Sequence, residues 1–487
     1  MKYLPRIVEG KINASARIIA DISSGIYRAP ANALKELVSN SWDADATETV
    51  INTGYPRFEL MTCSDDGLGM TTDEFKKYMK HIGGSFKRIE RDTTPSGRPI
   101  IGKIGIGILA IAQVCDQFSV FSSNGVDTRF EAKIDLSEFR EQEAYKKNIG
   151  SVRIGRFKSL EYRLAPDEKN TRYTRILLQK IDRGFRRRLV AAQDPKMAAP
   201  DFRAKKKEPL NFDDFLRYVN RKKSVNELSE YDNLIWGLSI AAPIQYLDQG
   251  PLRYGTTSTI DRIKRRLADR NFKLIVDGME LRKPLLFPVS EDLKNETEDY
   301  RIYDDIYFDD VIEGRRLKFS GYIFYQRTRI LPSELQGLLI RIKNVAVGTY
   351  DRSLLGYPIA RGPQMALLSG EIYVDEGLED ALNIDRNSFR ETDSHFTSLQ
   401  EQLFQKLGMI FTDIKSISRT RMDRIRKEEQ QASLKILEET IQEASGIRFR
   451  LKQSDDKPKI PVEVNPESGV ITIFWKHPVF PRKRARR

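Results

Sequence analysis

Residues 34–45 read LKELVSNSWDAD, and residues 64–70 read SDDGLGM. On a helix of 3.6 residues per turn, spacings of four and seven put Glu36, Asn40 and Asp43 on one stripe. Leu34, Leu37, Val38 and Ser41 fall on another, which suits packing. A carboxylate one turn before an amide is a pair suited to ATP hydrolysis. The carboxylate can take a proton from water. The amide oxygen can bind Mg²⁺ beside phosphates without adding negative charge. The second stretch offers an acceptor, Asp65, followed by Gly67 and Gly69, which let a base approach the backbone closely.

Farther along, GKIGIG at 102–107 is a glycine-rich turn that runs into the apolar stretch ILAIAQV, where a helix is expected. Backbone N–H groups in such a turn can cradle phosphates. Each motif alone recurs in ordinary turns or on solvated helix faces. Their order, with strand and helix context at each step, makes the reading specific. The P-loop pattern GxxxxGK[ST] does not occur in the sequence.

At these residues the chain resembles the GHKL superfamily, named for gyrase, the large heat-shock chaperones, histidine kinases and MutL. KELVSNSWDADAT is similar to its first motif, DDGLGM to its second, GKIGIGILA to its third and RYTRILLQKI to its fourth. The resemblance covers roughly residues 25 to 180 and implies a Bergerat-type α/β sandwich, α+β in class, that binds ATP and Mg²⁺. It implies Glu36 as general base, Asn40 as Mg²⁺ ligand and Asp43 as a supporting acid. Asp65 would accept the adenine amino group, with Gly67, Gly69, Met70 and Thr174 around the base. Gly102, Lys103, Ile104, Gly105, Ile106 and Gly107 would line the phosphates. Segment 83–101 would be the lid, with Ser85, Lys87 and Lys103 as lid contacts; the alternative for the two lysines is simple surface charge.

The same family supplies a cation from a second domain to the γ-phosphate. ALNIDRNSFRE at 381–391 resembles the catalytic loop of the heat-shock chaperone's middle domain, which makes Arg386 the γ-phosphate sensor. Asp385 departs from that pattern, standing where serine is common. The alternative is that Arg386 and Arg390 only pair with Asp385, Glu391 or Asp393.

The rest of the chain sets the frame. At 487 residues, 40% hydrophobic and 31% charged, it reads as a globular protein of two or three domains. The expected division is 1–255 for the ATP-binding domain, 256–415 for a transducer-like domain, and 416–487 for a charged helix, a small β unit and a basic tail. The N-terminal MKYLPRIVEGKINASARIIADISSG lacks the apolar core of a signal peptide, and no run reaches membrane-spanning length, so a cytoplasmic location is expected. Cys63, Cys115 and three histidines show no CxxC or HxxxH spacing, so no zinc is expected and the cysteines read as core thiols.

Helices are expected over 15–46, over TDEFKKYMKHIG with Thr72 as cap, from about 394, and over 416–445. Strands are expected around 50–65 and at TRFEAKI, GSVRIGRF and TRILLQKI. A second mixed region is expected to open at FKLIVDG, with LKFSGYIFYQ, GLLIRIKNVAV and GEIYVDEGL as strands. Residues 183–223 hold three basic clusters in a poorly patterned stretch, either a solvated connector or an anion-binding surface.

A net charge of +13 and a pI near 9.4 permit a polyanionic partner. The overall picture is similar to MORC-like and other prokaryotic GHKL ATPases. Three kinds of work are open: an ATP-gated homodimeric clamp on DNA or with a nucleic-acid-processing partner, a chaperone-like remodelling ATPase, and a nucleotide-sensing scaffold with little turnover. A role in phage defence fits the first.

Overall fold

The computed structural model describes residues 4–15, 30–80, 93–101, 110–140, 151–191, 202–205, 210–358, 362–383, 387–445, 450–454, 460–474 and 477–478. The chain divides into two compact units, Met1–Leu407 and Gly408–Arg487.

The first unit opens with strand β1 (Arg6–Ser15), helix α1 (Pro30–Asp43), β2 (Glu48–Asn52), β3 (Met61–Asp65) and α2 (Thr72–Lys80). There follow β4 (Cys115–Asn124), β5 (Thr128–Asp135), β6 (Ser151–Arg163) and β7 (Arg172–Ile181). Three longer helices come next: α3 (Arg183–Ala191), α4 (Phe212–Asn220) and α5 (Glu230–Ala241). Helix α6 (Ser258–Ala268) leads into β8 (Lys273–Val276) and β9 (Met279–Glu280). The nine strands form one sheet in the order β1-β6-β5-β4-β7-β3-β2-β8-β9. Every pair is antiparallel except β2–β8.

Three local features differ from the sequence reading. Strand β1 has no counterpart in the sequence reading: Ile7, Val8 and Ile12 are β-branched, but Gly10 interrupts them. Pairing with β6 makes it a strand and buries Val8, Ile12 and Ala14. The FKLIVDG stretch does not open the second region but extends the first sheet as β8, parallel to β2. Helix α2 is capped by Thr71, not Thr72. Thr71 Oγ1 accepts from Glu74 N at 3.2 Å, while Glu74 Oε2 accepts from Thr71 N at 2.7 Å, a capping box. Thr72 is fully buried.

The stretch around 183–223 is better patterned than it reads. Helix α3 buries Phe185 and Leu189, and α4 buries Phe212, Phe215, Leu216 and Val219. Their cations face outward, with Arg186 on Glu59 at 2.6 Å and Arg217 on Asp214 at 2.9 Å.

A second sheet follows: β10 (Tyr300–Ile312), β11 (Arg315–Gln326), β12 (Gly337–Ile342), β13 (Val345–Asp351) and β14 (Leu368–Glu376), in the order β10-β11-β14-β12-β13. The run GLLIRIKNVAV, which reads as one strand, is a hairpin. Ile342 pairs with Val345, and Lys343 and Asn344 between them take φ of 51° and 74°. Two successive left-handed residues make the two-residue turn whose twist suits a hairpin. Lysine is a weak signal for that geometry, which is why the apolar run masks it.

Helix α7 (Ser394–Ser445) is continuous over both stretches that the sequence separates, burying Phe396, Leu399, Leu403 and Leu407 in its first turns. The second unit holds the remainder of α7 and a small sheet of β15 (Arg450–Ser454), β16 (Val462–Asn465) and β17 (Val470–Phe474), in the order β15-β17-β16. This is the expected small β unit.

Candidate functional site

Helix α1 organises the site. Pro30 at its first position fits, because the N–H missing there is unpaired in any helix. Its end is a Schellman-type closure: Ala46 N bonds Ser41 O at 3.1 Å, Asp45 N bonds Trp42 O at 3.1 Å, and Asp45 takes φ 58°. Leu34, Leu37, Val38 and Trp42 are at most 1% exposed, and Trp42 meets Phe272 edge-on. Each such side chain contributes roughly 1.5–3 kcal/mol by burial. The helix is therefore a rigid support for its other side.

That other side is not uniform. Asn40 is exposed, Asp43 is half-buried, and Glu36 is 4% exposed although it lies on the polar stripe. Ser41, expected only to pack, donates from Oγ to Asp65 Oδ2 at 3.0 Å. Asp65 Oδ1 accepts from Gly67 N at 3.0 Å. Burial lifts the Asp65 carboxyl to about 6, against the lowering effect of the Gly67 and Ser41 bonds. Asp66, its neighbour in DDG, instead caps the start of β2 by accepting from Thr47 N at 2.7 Å and Glu48 N at 2.9 Å.

Around Asp65 the surface is built from backbone and hydroxyls. Gly69 has φ +65°, and a Cβ there would sit 1.9 Å from Ser123 O. Only glycine fits that approach. Ser122 Oγ donates to Tyr173 O at 3.0 Å, accepts from Met70 N at 3.0 Å and lies 3.1 Å from Thr174 Oγ1. Thr174 pairs directly with Asp65 across β3 and β7. Asp65, Gly67, Gly69, Met70 and Thr174 thus come together, joined by Ser41 and Ser122. The two serines escape a reading of the sequence because neither stands in a motif that distinguishes it from a packing residue.

The C-terminal end of α1 holds the chain that leads to the glycine-rich turn. Asp43 Oδ1 accepts from Ile101 N at 2.7 Å. Asp45 Oδ2 accepts from Ser96 N at 3.0 Å, and its Oδ1 also takes the Ser96 hydroxyl at 2.5 Å. Arg98 stacks 4.8 Å over Trp42 and donates to Arg270 O at 2.8 Å. Residues 93–101, the second half of the expected lid, are therefore tied to α1. Ser85, Lys87, the 102–107 turn with Gly102, Lys103, Ile104, Gly105, Ile106 and Gly107, and Arg386 lie outside the described residues.

The N-terminal half of α1 faces a different neighbour. A cavity of about 130 Å³ is lined by Lys35, Glu36, Ser39, Ile101, Lys343 and Glu379, among others. Lys343 stands at the tip of the β12–β13 hairpin, where Nζ donates to Ile100 O at 3.3 Å and pairs with Glu379 at 3.1 Å. Lys35 Nζ reaches Ala346 O at 3.5 Å from the other side. Thus a cation from the second sheet stands in the cavity that holds Glu36. No sequence motif marks it. Near the expected sensor loop, Arg390 pairs with Asp393 at 3.5 Å.

Ser41 and Glu36 are five residues apart, about 7.5 Å of helix rise. One helix therefore joins the hydroxyl and carboxylate cluster at Asp65 to a charged cavity. The cluster, with one carboxylate beside an enforced glycine, suits a flat base with an exocyclic donor. The cavity, lined by Glu36 together with Lys35 and Lys343, suits an anionic tail and a water. These features are the ones the GHKL resemblance implies for an ATP-binding domain.

Similarity to known proteins agrees. The family model described as histidine kinase-, DNA gyrase B-, and HSP90-like ATPase matches residues 27–164, which places that stretch of the chain in the GHKL superfamily. It is similar to the putative type II restriction enzyme HgiDII of Herpetosiphon aurantiacus, 35% identical over 112 residues, 23% of this chain and 18% of that protein. It is also similar to the chaperone protein HtpG of Bacillus subtilis (strain 168), 30% identical over 127 residues, 22% of this chain and 20% of that protein. The chain spans about a fifth of the length of these curated relatives. Among the described residues no cluster of three or more His, Cys, Asp or Glu side chains is placed to hold a metal, and no helix is long and apolar enough to cross a membrane.

Proposed function

We propose that the protein is a Mg²⁺-dependent ATPase whose turnover is switched by the second sheet. The observation that carries this reading is the cavity shared by Glu36 and Lys343. Asp65 accepts the adenine amino group, with Ser41 and Gly67 holding its carboxylate in place. Gly69 and Thr174 bound the base. Asn40, exposed one turn beyond Glu36, is the side chain suited to Mg²⁺, which when bound offsets phosphate charge. Glu36 takes the proton of the attacking water, and Lys343 offsets charge that develops on the terminal phosphate. Lys343 shares that task with Arg386, the residue the family resemblance selects. Pairing with Glu379 holds Lys343 ready until a more strongly charged partner competes for it.

The work this cycle drives is a clamp acting on DNA, closed by ATP-dependent dimerisation. The match to a putative restriction enzyme, the resemblance of the sequence to MORC-like ATPases and the net charge of +13 support it, and a part in phage defence accords with them. A chaperone-like remodelling role is the second reading, favoured by the HtpG match and the loop at 381–391. Binding to duplex DNA over a salt series, with and without ATP, separates them. The clamp requires affinity that falls steeply with salt, as phosphate neutralisation dictates, and that changes with nucleotide. No binding at low salt removes the clamp and leaves the remodelling ATPase or a scaffold of little turnover. Dimerisation is checked by sedimentation of Glu36→Ala with a non-hydrolysable analogue. A monomer with and without the analogue defeats the clamp.

A further inference from the structure

One face of the five-stranded sheet shares its core with the nucleotide-binding elements: Tyr322, Leu339, Ala346 and Tyr373 belong to the same apolar cluster as Leu34 and Leu37. Inside that shared core lies a charged network that the proposed chemistry does not use. Arg341 and Glu371 are both fully buried, and Arg341 Nε donates to Glu371 Oε1 at 2.5 Å. Glu371 Oε2 accepts from the Tyr322 hydroxyl at 2.6 Å and from the Tyr246 hydroxyl. The Tyr246 and Tyr373 hydroxyls are 2.5 Å apart. Burial pushes the Glu371 carboxyl up, but Arg341, Lys283 and the tyrosine hydroxyls outweigh it and hold it below the usual range. Arg341 Nη1 and Nη2 have no hydrogen-bonding partner among the described residues, so Glu371 alone orients the guanidinium through hydrogen bonds.

Such a pair is a poor source of stability, because desolvating two charges offsets most of their attraction. Its place in the chain gives it another use. Arg341 precedes Lys343 by two residues, at the base of the hairpin tip. Tyr246 comes from the other side: it follows α5, which touches both α1 and β13, and it bridges to Lys283 just beyond β9. Lys283 is itself buried and donates to Ala242 O at 2.8 Å.

We propose that Arg341, Glu371 and Tyr246 form a positioning element that holds the β12–β13 tip, and with it Lys343, at the Glu36 cavity. The inference rests on the assignment of Lys343 above. The Tyr246 hydroxyl is the link from the nucleotide-binding side, and the ion pair is the link from the second sheet. Loss of either lets the tip move without disturbing the Asp65 cluster.

The test uses the full chain with Tyr246→Phe, which removes one oxygen, and with the charge-free Arg341→Met/Glu371→Leu protein as a second route should the first fold poorly. In the nucleotide-free protein, amides of residues 337–351 should exchange about tenfold faster while those of α1 do not change. Turnover at saturating ATP should fall about tenfold with unchanged affinity for a non-hydrolysable analogue. In a Lys343→Met background the same substitution should cause no further loss. Equal losses in both backgrounds, or unchanged exchange at the hairpin, overturn the positioning role. Wild-type turnover in Lys343→Met alone overturns the Lys343 assignment, and the positioning role with it. The two failures are thus distinguishable.

Discussion

In the proposed function the candidate site has a base end and a phosphate end, and the two are built on different principles. The base end is made within about 140 residues, from Ser41, Asp65, Gly69, Ser122 and Thr174, and its contacts are hydroxyls, backbone and one carboxylate. The phosphate end brings Glu36 into one cavity with Lys343, about three hundred residues away, and its character is set by opposing charges. The base end is a recognition surface whose parts are already hydrogen-bonded to each other. The phosphate end depends on where the second sheet stands. Binding and turnover should therefore come apart under mutation.

The largest effect is expected at Glu36. Glu36→Gln should keep nucleotide affinity in calorimetry and lose roughly 10²–10⁴-fold in turnover. If turnover is unchanged, Glu36 is not the base. Next is Lys343→Met, expected to slow turnover by about 10²-fold with affinity changed little, as for other groups that meet developing charge. A proportional loss of affinity would make Lys343 a ground-state binding residue and erase the contrast between the ends.

A smaller effect is expected at the base end. The Asp65 carboxyl, held up to about 6 by burial, is ionised only above that pH in the nucleotide-free protein. Because its folded value exceeds the ordinary 3.8, the native state holds a proton the unfolded chain has lost between those values. Its contribution to stability accordingly falls as pH rises from about 4 to 6. Nucleotide affinity should move the other way, weakening by up to about tenfold per unit as pH drops below 6. An affinity of the wild-type protein that ignores pH over this range refutes the ionised-acceptor assignment. The smallest effect is expected at Ser41. Ser41→Ala removes one bond to Asp65, costing about 1 kcal/mol, read as a modest loss of nucleotide affinity with turnover at saturation unchanged.

What the sequence reveals follows the same division. Helix α1 and the closeness of Asp65, Gly67 and Gly69 are legible because helix periodicity and a short motif constrain residues near one another in the chain, whereas Thr174, about a hundred residues on, joins them only through the family resemblance. Ser41 reads as a packing residue, which its burial supports, but its hydroxyl also serves Asp65. The hairpin at 337–351 reads as one strand, since a Lys-Asn turn inside an apolar run carries a weak local signal. Strand β8 reads as the opening of the second region because a parallel pairing with β2 has no signature in either strand.

Helix periodicity and the DDGLGM motif pick out the helix that supports the site and the carboxylate beside Gly67, and the family resemblance carried by the motifs names the class of domain. They say nothing of which cation shares a cavity with Glu36, or of what holds that cation there; the packing of the two sheets settles both. Lys343, Glu379, Arg341, Glu371 and Tyr246 are ordinary residues in their own stretches. Their roles come from burial and from charges brought within reach across two sheets, and no local pattern encodes either.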